Sequence, residues 1–179
     1  PMNRIVGSIV SLVQHLATVF TDPEVYRPRA CPHCGRSRVW HHGVYYRKAD
    51  RVRSGEESLN PVPIRRFLCP GCTHTCSRLP ACIPPRRWYD WCVQQAVLLV
   101  LLCGASLGEC ERCTGRPRDT VRRWRDWLRE RGEEFALFLR SRFPELGRLS
   151  DFESFWRHVL QDMTLQQAMV WLDRDLVVP

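Results

Sequence analysis

Long apolar runs are absent from this 179-residue chain. Val93 to Cys103 is about half as long as a bilayer crossing, and Ile5 to Phe20 carries Gln14 and His15 and lacks a small-residue cleavage pattern. No membrane span and no secretory leader are therefore expected, and Pro1 reads as a residue ahead of a natural start at Met2. A regular cysteine framework is missing too. Ten cysteines would suit a disulfide-stapled secreted scaffold, but they are unevenly spaced and several lie in apolar helical stretches, so a cytoplasmic location is expected. Lysine is almost absent. Of 27 basic residues all but Lys48 are arginine, which fits either phosphate and guanine recognition or a GC-rich genome.

What the chain does have is a pair of cysteine knuckles, Cys31-Pro32-His33-Cys34-Gly35 and Cys69-Pro70-Gly71-Cys72, separated by the length of a β-hairpin. Each presents two thiolates on a tight turn, and four thiolates at about 2.3 Å complete the tetrahedral shell of Zn²⁺. Proline fixes φ on entry to each turn. Gly35 and Gly71 are expected to take positive φ, so that backbone N–H groups point at the sulfurs. Disulfides or buried thiols would not need that turn chemistry. Cys31, Cys34, Cys69 and Cys72 are the expected ligands. His33, His74 and Cys76 lie nearby, and Cys76 is the best substitute among them.

Charge is uneven along the chain. Residues 23–131 hold 21 Lys and Arg against 10 Asp and Glu, whereas residues 132–179 hold 5 against 8. The apolar positions Ile5, Ile9, Leu12, Val13, Leu16 and Phe20 predict a helix over 4–20 that packs within the chain or pairs with a second copy. Strands are predicted at Val39 to Arg47, Val62 to Leu68 and Thr75 to Leu79, with Lys48 to Asn60 as an exposed hairpin loop. Beyond the Pro80, Pro84 and Pro85 linker, helices are predicted from Trp88 to Cys103, from Ser106 to Cys113 behind a capping box, and from about Arg118 to Glu134. Glu133 to Arg142, Phe152 to Gln161 behind Ser150, and Leu165 to Leu172 behind Thr164 complete the series. The expected fold class is α+β: a small β zinc ribbon followed by a mostly α-helical helix-turn-helix domain. Its expected divisions are 2–22, an N-terminal amphipathic helix; 23–84, the ribbon; 85–134, the helix-turn-helix; and 135–179, a helical extension.

Ser106 to Arg125 can be laid on the core of a helix-turn-helix, with Gly115 at the turn. Cys110, Cys113, Val121 and Trp124 then face inward, and Arg118, Thr120, Arg122 and Arg123 outward. Asp119 and Thr120 stand where a side-chain oxygen can cap the helix. Glu111 and Arg116 depart from the pattern, since a small residue and an apolar residue usually occupy those places. The alternative is a helical bundle with a solvated arginine face. Cys82, Cys92 and Cys103 read as core or incidental, and Cys110-Glu111-Arg112-Cys113 as core rather than a second metal or redox site.

The block Cys31 to Trp127 resembles the zinc-ribbon plus helix-turn-helix region of insertion-sequence transposases and small transposon-encoded DNA-binding proteins. The resemblance is carried by CPHCG, by the Ile64-Arg65-Arg66-Phe67 strand leading to CPGC, by Leu79-Pro80, and by Thr120-Val121-Arg122-Arg123-Trp124. It implies binding of terminal repeats or an operator, as a class. No enzyme activity is expected, because residues 132–179 cannot build a catalytic domain with separated metal-binding carboxylates. Asp151, Glu153, Asp162, Asp173 and Asp175 read as helix caps and solvated faces.

The expected function is sequence-specific binding of double-stranded DNA by a transposon-associated or regulatory factor, alone, as a homodimer or with a transposase or recombinase partner. Arg118, Thr120, Arg122 and Arg123 would reach bases or phosphates. Arg65, Arg66, Arg86 and Arg87 would grip flanking phosphates. The alternative is a zinc-ribbon adaptor docking a larger recombinase or polymerase subunit through apolar terminal helices. A third reading is RNA stacking on Trp40, Tyr45 and Tyr46.

Overall fold

The computed structural model describes residues 4–50, 57–85, 89–176 and 178. The expectations placed on Ser54-Gly55, Arg86, Arg87 and Trp88 lie outside those residues. The chain is mixed α and β and divides into two units: residues 1–90 with 173–179, and residues 91–172. No helix among the described residues is long and apolar enough to cross a membrane.

The first unit is built on a three-stranded antiparallel sheet of β2 (Trp40–Arg47), β3 (Val62–Leu68) and β4 (Thr75–Cys76), in the order β2-β3-β4. Strand alternation gives β3 two buried faces. Phe67 packs with Val6, Ile9, Val19, Tyr26, Val39, Cys31 and Cys69 on one side, while Val62 and Ile64 pack with Leu79 and Ile83 on the other. The described base of the hairpin loop is fastened by side chains. Asp50 Oδ2 accepts the Leu59 N–H at 2.6 Å, and Asn60 Oδ1 accepts the Asp50 N–H at 3.0 Å.

The helix predicted over 4–20 is shorter than expected. Residues Ile5–Val6 form β1, which pairs in parallel with β5 (Leu79–Pro80), and α1 spans only Leu12–Thr21. Ser11 ends the extended stretch, its hydroxyl accepting the Gln14 N–H at 3.1 Å as an N-cap. Because α1 lies on β3, its buried side is His15 and Val19 rather than the predicted stripe. Val13 and Phe20, on that stripe, are 70% and 60% exposed. Buried His15 is bonded through both ring nitrogens, to the Tyr26 hydroxyl at 2.6 Å and the Pro63 carbonyl at 2.7 Å. A carbonyl can only accept, so Nε2 carries the proton and Nδ1 accepts from Tyr26. Burial pushes the His15 pKa down, which suits this neutral tautomer.

The second unit contains α2 (Trp91–Leu102), α3 (Leu107–Thr114), α4 (Arg118–Arg142), α5 (Phe152–Asp162) and α6 (Leu165–Leu172). Helix α4 runs unbroken through the boundary expected at 134/135. Gly132 does not terminate it, because it is a packing glycine: an added Cβ would meet Phe152 at 2.7 Å and the Trp156 indole at 2.9 Å. Phe155, Trp156, Val159, Leu160 and Met169 are buried, so the aromatic C-terminal segment closes the core of this unit. Gln95 ties three helices together. Its amide donates to the Leu160 carbonyl at 2.7 Å, and its oxygen accepts the Leu165 N–H at 2.7 Å.

Three caps follow the sequence and two do not. The Ser106/Glu109 box is present, Gly115 closes α3 at φ 64°, and Thr164 and Gln167 exchange bonds ahead of α6. The N-cap of α5 is Asp151 in place of Ser150. Asp119 does not cap α4. It pairs with Arg122 at 2.8 Å, and Glu111 Oε1 accepts the Arg118 N–H at 3.2 Å. Glu111 thus has a local use that explains its departure from the small residue expected there.

Asp173 is neither a cap nor solvated. It is 1% exposed, and its Oδ2 accepts the Ile5 N–H at 2.7 Å, joining the two ends of the first unit.

Candidate metal centre and basic surfaces

Each knuckle is shaped by the same two backbone bonds. In the first, Gly35 N–H donates to the Cys31 carbonyl at 2.9 Å, and Cys31 N–H to the Arg36 carbonyl at 2.7 Å. In the second, Thr73 N–H donates to the Cys69 carbonyl at 2.9 Å, and Cys69 N–H to the His74 carbonyl at 3.0 Å. Gly35 takes positive φ, as expected, at 75°. Gly71 does not. The matching left-handed residue is Thr73 at φ 59°, while Gly71 leaves room for the Arg36 side chain, which would lie 2.4 Å from an added Cβ.

The two turns bring Cys31, Cys34, Cys69 and Cys72 together, with all four sulfurs within 4.8 Å of one another. Cys31 Sγ lies 3.6 Å from Cys72 Sγ, and Cys34 Sγ 3.5 Å from Cys69 Sγ. Thiolates at about 2.3 Å from a tetrahedral ion stand about 3.8 Å apart, so the set fits a metal of that kind; a disulfide would need about 2 Å. The His33 N–H donates to Cys31 Sγ at 3.4 Å.

Ionisation of the cluster is uneven. Burial pushes the Cys69 thiol up, but the N–H groups of Cys72 and Gly71, with the neighbouring sulfurs, bring it down to about 6. Burial likewise opposes ionisation of Cys31, and the Cys34 and His33 N–H groups prevail to lower it. At Cys72 the His74 N–H favours the thiolate, yet burial and the three other sulfurs carry the group up to about 12. Crowded sulfurs cannot all hold charge alone, and a bound dication removes that conflict.

Cys76 is outside the four-sulfur group. It sits on β4 beside the core, and burial with the charges of Cys31 and Cys69 raises it to about 11. His33 and His74 stack on each other with centroids 4.4 Å apart. Cys110 is buried, but Cys113, expected inward with it, is exposed. Cys92 and Cys103 are exposed as well.

Arg118, Arg122 and Arg123 are exposed and Thr120 is half-buried, all in the first two turns of α4, while Val121 and Trp124 are buried. Helical periodicity extends the basic face to Arg125 and Arg129, which the sequence reading passed over. Arg118, Arg122, Arg125 and Arg129 recur at the i, i+4, i+7, i+11 spacing that would have signalled it. Arg65 and Arg66 are not brought together. As neighbours on β3 they take opposite faces, with Arg65 Nε donating to the Val19 carbonyl at 2.9 Å and Arg66 lying over the Tyr45 ring at 5.0 Å.

The aromatic residues of β2 are divided in the same way. A register irregularity between His41 and Val44 leaves Trp40 opposite Leu68 and Tyr46 opposite Pro63, so Trp40 and Tyr46 point to different faces.

No curated protein and no solved structure matches the chain. Residues 31–124, from the first sulfur of the cluster to the buried Trp124 of α4, match a family described as a domain of unknown function, DUF6431, and the chain belongs to that family.

Proposed function

We propose that this chain is a sequence-specific double-stranded DNA-binding protein. In it Zn²⁺ on Cys31, Cys34, Cys69 and Cys72 folds a zinc ribbon, and α3 and α4 act as a helix-turn-helix. One observation carries the reading. Gly115, in the left-handed conformation, turns the chain between a short helix anchored by buried Cys110 and a basic helix anchored by Val121 and Trp124, leaving Arg118, Arg122 and Arg123 outward. Such a helix can enter a major groove with its first turns against base edges. Arg118, Arg122 and Arg123 reach bases or phosphates, Arg125 and Arg129 follow the backbone, and Arg66 grips a flanking phosphate. Arg65 is held by the Val19 carbonyl and braces α1. No catalytic residue is assigned, and the setting is cytoplasmic, in transposition or transcription regulation, as the resemblance to transposon-encoded DNA-binding proteins implies.

The test is a selection from a random-sequence duplex library with zinc-loaded protein, followed by sequencing of the retained pool. An enriched motif supports a sequence reader, and its symmetry reports monomer or dimer. Retention without enrichment contradicts sequence-specific reading.

One observation favours the adaptor alternative. Val10, Val13 and Phe20 form an exposed apolar strip on and just before α1, with Val13 70% exposed. Binding to DNA only in the presence of a recombinase or polymerase subunit would favour that reading.

A further inference from the structure

The second unit holds a cavity of about 140 Å³ lined by α2, the start of α3, α4 and the start of α5. Its floor is apolar: Leu98, Leu102 and Leu128 are buried, and the Phe152 ring joins them. A cavity of this size lined by leucine and phenylalanine accepts a body of about six carbons, such as a benzene ring. Until something fills it, the lining lacks contact partners on one side.

The walls are set by local structure. Gly104, at φ 92°, ends α2; its N–H donates to the Leu101 carbonyl at 3.0 Å, and the Ala105 N–H donates to the Val100 carbonyl at 3.3 Å. The Ser106 and Glu109 capping box starts α3 immediately afterwards, so Ala105 and Ser106 line the cavity from between two caps. On α5, Phe152 leans on Gly132, where an added Cβ would lie 2.7 Å from the ring.

The mouth carries opposite charges on two helices. Arg129 of α4 and Glu153 of α5 both line the cavity and both are exposed, and no salt bridge joins them. Glu153 follows the Asp151 cap of α5, so that side of the mouth is negative. Arg125 also lines the cavity, but it is bonded to Asp126 at 2.7 Å and serves as wall.

We propose that this cavity binds a small apolar α-amino acid. The side chain lies on Leu98, Leu102, Leu128 and Phe152, the carboxylate meets Arg129, and the ammonium faces Glu153. A guanidinium meets a carboxylate through paired N–H donors, and a carboxylate accepts from an ammonium. A simple carboxylic acid or amine satisfies only one of the two. The site goes beyond the role given to α4, and its test contains no DNA, so it stands or falls apart from that reading.

The experiment is calorimetric titration of the full zinc-loaded chain with L-leucine and L-phenylalanine. Glycine lacks the apolar body, 4-methylvalerate lacks the ammonium, and isopentylamine lacks the carboxylate. At least one of the two apolar amino acids is expected to bind saturably, with a dissociation constant between about 1 μM and 1 mM. Each of the three analogues should bind at least about five-fold more weakly. Arg129→Gln and Glu153→Gln alter exposed side chains, and each should weaken the amino acid by at least about five-fold while leaving the helical circular dichroism unchanged. Absence of saturable binding by both amino acids at about 10 mM would overturn the site. So would equal binding by 4-methylvalerate, or an unchanged affinity in either variant.

Discussion

Thr73 occupies in the second knuckle the place that Gly35 occupies in the first. Their φ values are 59° and 75°, and each donates its N–H at 2.9 Å to the carbonyl of the first cysteine of its own knuckle. A β-branched residue in the left-handed region is strained by about 1–2 kcal/mol, part of which glycine gives back as unfolded-chain entropy.

Thr73→Gly is therefore expected to leave stability unchanged or raise it by up to about 1 kcal/mol, after allowing for loss of the 2.7 Å hydroxyl bond to the Cys72 carbonyl. Gly35→Thr should lower it by about 1–2 kcal/mol, although an added Cβ meets nothing within 4 Å. Chemical denaturation of the zinc-loaded variants checks the pair. Equal destabilisation by both changes would show that the two turns are not equivalent.

Gly132→Ala puts two effects in opposition. Helix propensity favours alanine by about 1 kcal/mol, while overpacking against Phe152 and Trp156 costs about 1–3 kcal/mol. Net destabilisation is expected, read as a fall in the thermal midpoint of the helical signal. A rise would mean that α4 and α5 do not approach so closely.

His15 and Asp173 give opposite pH dependences. The His15 pKa is lowered in the folded chain, so below about pH 6.5 the unfolded state takes up a proton that the folded state refuses. Its stabilising contribution is complete above that pH and declines as pH falls towards the folded value, by up to about 1.4 kcal/mol per unit. Burial raises Asp173 to about 7, so its contribution is complete below the ordinary carboxylate range and is lost as pH rises through about 7. Denaturation of His15→Gln and Asp173→Asn across pH 4 to 8 should remove these two slopes in opposite senses. Parallel curves for wild type and both variants would contradict the burial of these groups.

Removing the metal should act on the first unit. Cys31 and Cys69 belong to the apolar cluster around Phe67, so the four-sulfur site and that core form together. Cys34→Ser is expected to lose stoichiometric zinc and to open residues 23–84 to proteolysis while residues 91–172 keep their helical circular dichroism. A variant that still holds one metal ion per chain with wild-type protease resistance would contradict the four-thiolate site.

Features that depend on neighbours in sequence were legible. The knuckle spacing named the four cysteines, β3 and α6 span the predicted residues, and the Ser106/Glu109 box starts α3 where expected. Features that depend on distant partners were not. β1 exists because Leu79 and Pro80 lie alongside it and because Asp173 accepts the Ile5 N–H across a separation of 168 residues. No periodicity within residues 4–20 carries that information. Gly71 misled because it is small to admit a neighbouring side chain, Arg36, and composition alone cannot separate that use from a turn. The Arg-rich face of α4 was half legible: Arg125, the last residue of the recognised motif, was not read as part of the stripe, and Arg129 lies beyond the motif.

The most direct test of DNA recognition by α4 is the salt dependence of duplex binding by zinc-loaded wild type and by Arg122→Ala, Arg123→Ala. If these side chains meet DNA, affinity falls and the slope of log affinity against log salt concentration becomes shallower by up to about two units. An unchanged affinity and slope would contradict the placement of α4 on DNA.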